Sequence, residues 1–103
     1  MQVIENLTRL RGVILRRAPH PSRAGYDVLR LKVEEAHAVE GKADLLGRHL
    51  GETLDVAVRS ELLRDAECKD GTSVNLRAKM TPDGAMAESH PNPDDFSLES
   101  LTT

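Results

Sequence analysis

Three short segments alternate apolar with polar residues at the period of a strand: Leu29, Leu31 and Val33; Leu54, Val56 and Val58; Val74, Leu76, Ala78 and Met80. Residues two apart share one face of a strand, so the pattern predicts an antiparallel sheet buried on one side. An earlier strand is expected over Leu10–Leu15. Its inward parity stays open, because Val13, Ile14 and Leu15 are consecutive apolar residues. Pro19 and Pro21 then exclude helix and remove two backbone donors, and Gly25 closes a connection into a second strand over Tyr26–His37.

The period changes between Val39 and Gly51. Ala43, Leu45, Leu46 and Leu50 have helical spacing, Asp44 is placed to help a first turn, and Gly47 and Gly51 punctuate the end, so a helix of one or two turns is expected there. A third strand follows over Glu52–Ser60, with Leu62 and Leu63 extending it or beginning a turn. Asp65–Gly71 is polar and ends in Asp70-Gly71, a turn signal because glycine accepts positive φ. Thr72–Met80 is the fourth strand, Thr81-Pro82-Asp83-Gly84 a further turn, and Ala85–His90 a short edge strand. Pro91–Asp95 ends the fold, leaving one domain over 1–90 and a flexible acidic tail over 91–103.

The fold class is therefore mainly β: a small antiparallel β-barrel or curved sheet of four to five strands, with one short helix between the second and third. At the level of fold it resembles the oligonucleotide/oligosaccharide-binding (OB) barrel and related small barrels. It departs from them in one respect, since such a barrel has three strands before its helix and only two are found here. The resemblance implies an architecture and no ligand.

Composition adds limits. Tyr26 and Phe96 are the only aromatics among 103 residues, so the core must be filled by Leu, Val, Ile and Met, which bury less area each. A homodimer interface would supply what is missing. Cys68 is the single cysteine, which leaves no disulfide and no cysteine-rich metal cluster and makes a reducing, cytoplasmic setting the default. No apolar window approaches a membrane span, and none is expected.

Reactive constellations are sparse. His20, His37, His49 and His90 form no ligand-spaced pair, so no metal site is expected. Glu34 and Glu35 are adjacent and should point to opposite faces of a strand, which prevents paired acid–base work. Cys68 lies beside Glu67, which disfavours the thiolate. No serine sits in a nucleophile elbow, and no glycine run is followed by the Lys-Ser/Thr of a phosphate loop. The expectation is a non-catalytic protein without a cofactor.

Charge is distributed unevenly. Up to Lys32 there are seven basic residues against two acids, a local +5 in a chain of net −3, so the remainder carries −8. No Lys or Arg follows Lys79, whereas Asp83, Glu88, Asp94, Asp95 and Glu99 do. Outward parity would gather Arg30, Lys32, Arg59, Arg77 and Lys79 on one cationic sheet face able to meet phosphates. The alternative is that the arginines pair with Asp27, Glu34, Asp55 and Glu61, as on an ordinary solvated sheet.

The tail either lies over that face as an internal competitor or recruits a basic partner through Asp94, Asp95 and Phe96. That three-residue patch resembles the acidic, Phe-bearing tails of single-strand binding proteins. Three functional readings result, of which the least supported is a small enzyme, since it would need a pocket with converging His or carboxylate groups. The first is a binding or assembly module for a protein partner or for its own copy. The second is a weak, salt-sensitive binder of single-stranded nucleic acid, disfavoured because Tyr26 is the one aromatic near the sheet on which a base could stack.

Overall fold

The structure is a computed structural model that describes residues 5–63 and 71–99. The expected polar turn with Cys68, apart from Gly71, and the last four residues of the expected tail lie outside the described residues. The strands are β1 (Thr8–Pro19), β2 (Tyr26–Ala38), β3 (Thr53–Arg59), β4 (Ser73–Thr81), β5 (Gly84–Ala87) and β6 (Ser97–Glu99), with one helical turn, α1 (Ser60–Leu63). They form one sheet in the order β1-β2-β3-β5-β4, which β1 closes into a five-stranded barrel by pairing with β4; β6 adds beside β4. All pairs are antiparallel except β3 with β5, so the barrel is mixed.

The expected inward rows line the interior. Leu29, Leu31, Val33, Val56, Val58, Val74, Leu76 and Ala78 are buried, and Leu54 and Met80 pack partly against them. Each fully buried Leu or Val contributes about 1.5–3 kcal/mol. No aromatic ring belongs to this buried set, and Phe96 touches it only from the side.

Strand β1 settles the parity that its sequence left open. Thr8, Leu10, Gly12 and Ile14 face inward, and the register then slips between Ile14, opposite Leu31, and Arg16, opposite Arg30. Leu15 is the extra residue of this bulge and stands 42% exposed. A second slip sets Arg11 opposite Glu35 and Gly12 opposite Val33. Glu34 is its extra residue, so Glu34 and Glu35 are both exposed instead of facing opposite ways.

The helix is not where spacing placed it. Between β2 and β3 the backbone makes only a 3₁₀ turn, Gly47–His49, and α1 follows β3 instead. Gly41 and Gly51 bracket this connection in left-handed conformations, at φ of 81° and 84°, which end right-handed helical geometry on either side of it. Its function in packing survives, because Leu46 is fully buried. Asp44 holds the turn by accepting from the Gly47 amide at 2.8 Å and from the buried Thr8 hydroxyl at 2.7 Å.

The C-terminal expectations also change. Strand β5 is no edge, being paired with β3 on one side and β4 on the other. The segment expected as a flexible tail packs on the barrel over its described part, 91–99: the chain leaves β5 after the Glu88 amide donates to the Arg77 carbonyl, makes a 3₁₀ turn at Pro93–Asp95, and returns as β6 opposite Ser73–Asn75. Apolar contact by Phe96 and Leu98 and ion pairing by Asp95 account for this. Near the N-terminus, the side chain of buried Asn6 stands in for a strand by donating to the Met80 carbonyl (3.2 Å) and accepting from its amide (2.7 Å).

Gly12 sits where β1 is paired on both edges, and a Cβ there would lie 2.7 Å from the Lys32 carbonyl oxygen. Gly12→Ala is therefore expected to cost about 1–3 kcal/mol. Urea denaturation should show a lower midpoint with unchanged slope; an unchanged midpoint would contradict the close approach.

Candidate functional site

Closure of the barrel separates the five expected cationic residues. Arg30 and Lys32 lie on β2 and Arg77 and Lys79 on β4, with β1 between those strands on one side and β3 and β5 on the other. Arg30 donates to Asp55 at 3.0 Å, a bond that raises its already high pKa. Arg59 pairs with Glu61 and donates to the Ser89 carbonyl at 2.8 Å. Arg77 grips Glu88 through two bonds of 2.7 Å, which likewise raise its pKa. Lys32 and Lys79 form no ion pair among the described residues. Asp55 and Glu61 thus take the pairing expected of them, whereas Asp27 binds Arg17 at 2.6 Å and Glu34 is exposed.

The acidic segment lies on the outer side of β1 and β4. Asp95 is buried between Arg9 at 2.7 Å and Arg77 at 3.4 Å, and Glu99 lies 3.9 Å from Arg11. The Arg9 hydrogen bond, helped by the Arg77 charge, holds the Asp95 carboxyl below the ordinary aspartate range against the opposing effect of burial. Phe96 is turned toward the core. Of the three residues proposed from sequence to recruit a partner, only Asp94 stays exposed.

A different surface carries outward apolar residues. Directly opposed residues share a face of a sheet. Outward positions Ala18 on β1, Val28 on β2, Ala57 on β3 and Met86 on β5 are successive cross-strand partners, which places an apolar row across four strands on the outside of the barrel. Val28, Ala57 and Met86 floor a hollow of about 660 Å³, walled by the β1–β2 loop at His20–Arg23 and by Thr81, Asp83 and Gly84 of the β4–β5 turn, and Ala18 lines a smaller hollow beside it. Smaller hollows adjoin it, one at Val28 and Asp55 and one at Met86. Ala57 is only 7% exposed beneath these walls.

The β1–β2 wall is shaped by polar contacts. His20 Nδ1 accepts from the backbone amides of Ser22 (3.1 Å) and Arg23 (3.0 Å), so the ring carries its proton elsewhere. Arg23 lies 5.3 Å over the Tyr26 ring, and its guanidinium comes within 3.9 Å of Asp83 on the opposite wall. The Tyr26 hydroxyl is bonded to Ser89 at 3.1 Å.

Val28, Ala57 and Met86 were not distinguished by alternation, which singles out only the inward set. A signal was present in the consecutive pairs Val28-Leu29 and Ala57-Val58: apolar residues at both parities of a strand mark an outer face that is also covered. Among the described residues, no group of three or more His, Cys, Asp and Glu is placed to hold a metal ion, and no helix is long and apolar enough to cross a membrane. Neither a protein-family model, nor a curated protein, nor a solved structure matches this chain.

The Asp95 contact makes stability depend on pH in one direction. A carboxyl whose folded pKa lies below its unfolded value stabilises fully at neutral pH and loses that contribution as the pH falls through the folded pKa. Asp95→Asn should therefore be less stable than the native chain near about pH 7, with the gap closing on acidification below the carboxylate range. Urea midpoints across that range test this, and a gap independent of pH would refute it.

Proposed function

We propose that the protein is a binding module whose outer trough receives an extended segment of a protein partner. The observation that carries this is the apolar row Ala18, Val28, Ala57 and Met86, on a side of the barrel where ordinary sheets present polar residues to water. An extended segment directs every second side chain to the same side, so alternate residues can meet the row.

The architecture supports the same location. Three strands precede α1, an order that the OB barrel also has and that supports reading the chain as OB-like. In such barrels ligands lie on the second and third strands between the loops joining strands 1–2 and 4–5. The trough occupies that position, although fold alone names no ligand.

The lining favours protein over nucleic acid. Single-strand binders stack bases on aromatic rings. Here the floor is aliphatic, Tyr26 lies beneath Arg23, and Arg30, Arg59 and Arg77 already hold carboxylates. Strand-to-strand self-association has less support. Barrel closure uses most edges, and the stretch of β1 left without β4, from Leu15 onward, carries a bulge, Arg16, Arg17 and Pro19, all of which blunt an edge. A cytoplasmic setting accords with a single cysteine.

Selection from a phage-displayed library of short random peptides tests the reading. The native chain should enrich a consensus, and Ala57→Arg, which fills the trough from its floor, should lower affinity for those peptides by about a hundredfold while keeping the melting temperature. Thr53→Arg, on an exposed position of the same strand, should leave affinity unchanged. Failure to enrich any peptide dependent on Ala57, or binding of oligothymidylate that is lost on Ala57→Arg, would overturn it.

A further inference from the structure

The trough carries charge as well as apolar surface, and the charge describes the partner. At its β1 end, Arg16 lies two residues before Ala18 on the same outward face, directly opposite Arg30. At its far end, Lys79 on β4 is the cross-strand partner of Met86. Both are exposed, and neither forms an ion pair among the described residues. The other charges of the floor and walls neutralise one another: Arg30 with Asp55, and Arg23 with Asp83. The uncompensated charge along the row is therefore one cation at each end of an apolar run.

We infer that the trough selects an extended protein segment with a short apolar run flanked by a carboxylate at each end, one meeting Arg16 and the other meeting Lys79. This rests on the reading of the trough as a peptide site and adds the chemistry and spacing of its occupant. From β1 through β2, β3 and β5 to β4 there are four strand spacings, which at about 4.8 Å each make roughly 19 Å along the barrel surface. An extended chain advances about 3.3 Å per residue, so the two acids stand about six residues apart. The interval admits two or three side chains directed at the floor. Small and unbranched residues there, Ala18, Ala57 and Met86, leave room for branched aliphatic residues of the partner.

Exposed cations contribute to encounter and selectivity more than to gross affinity. They also leave a signature in salt, because charges at this exposure are screened within a Debye length of about 10 Å at moderate ionic strength. The apolar part of the contact carries no such dependence.

The experiment is peptide-library selection on the native chain and, in parallel, on the doubly reversed variant Arg16→Glu with Lys79→Glu, both checked for an unchanged melting temperature. The native chain is expected to enrich an apolar run with an acidic residue at each end, about six positions apart. The reversed variant is expected to enrich the same run with Lys or Arg in those places, and to bind the native consensus about tenfold more weakly at low salt, with the difference vanishing at high salt. Single reversals should each release one end of the consensus, so a fold defect in the double variant would not hide the effect. An apolar consensus without flanking acids, or one indifferent to both reversals, would overturn this inference while leaving the peptide-binding reading intact. Loss of all Ala57-dependent peptide enrichment would instead remove the reading itself. Self-association abolished by Ala57→Arg would overturn the inference in favour of a second copy in the trough.

Discussion

Everything in this fold depends on β1 being hydrogen-bonded along both edges. Thr8 to Val13 pairs with β2 on one side and β4 on the other, and that double pairing turns the sheet into a closed barrel with a buried, largely apolar interior. A strand so placed cannot be straight. Its two register slips against β2 bend the ladder, and Gly12 is the residue where the backbones come too close for any side chain. Closure also explains how a chain nearly without aromatics holds a core. Rows of Leu, Val and Ile from four strands meet across a narrow interior, and Leu46 and Leu63, from the connections at opposite ends of β3, add to it.

The same closure decides the electrostatics. A flat sheet would have presented Arg30, Lys32, Arg59, Arg77 and Lys79 together; a barrel spreads them around its circumference, where each arginine finds a carboxylate on a neighbouring element. The acidic segment is consumed in this way too. Glu88 and Asp95 bind Arg77 and Arg9, and the 3₁₀ turn that delivers Asp95 allows the chain to resume as β6 along the line that β5 began. Cationic front and acidic end are therefore two halves of one structural contact. Among the described residues Arg16 and Lys79, beside the apolar row, stay outside that neutralisation, as does Lys32 farther along β2.

The parts of this arrangement that depend on local alternation were legible in the sequence. The inward residues of β2, β3 and β4 and the two proline-rich or glycine-rich turns follow from period and turn chemistry alone. The parity of β1 was not, because the run Val13-Ile14-Leu15 reads as ambiguous until the bulge at Leu15 is known, and a bulge is set by a partner strand. Strand β5, built from Gly84, Ala85, Met86 and Ala87, carries too little pattern to reveal that it lies between β3 and β4. The helical spacing over Ala43–Leu50 reflects the burial of Leu46, not a helix. Among site residues, charge pointed toward the arginines, which tertiary pairing then satisfied, while Val28, Ala57 and Met86 were passed over because alternation treats an outward apolar residue as noise.

On the proposed reading, the outer row on β2, β3 and β5 is a contact surface and not merely a covered part of the sheet. Methyl-detected NMR, with Val28, Ala57 and Met86 labelled and a library-selected peptide titrated in, tests this most directly. Saturable shifts are expected at those three methyl groups, with Val13 on the outer face of β1 and Val74 in the barrel interior unmoved. Saturable shifts confined to Val13 or to the neighbourhood of Arg9 and Arg77, with the three row methyls unmoved, would contradict it.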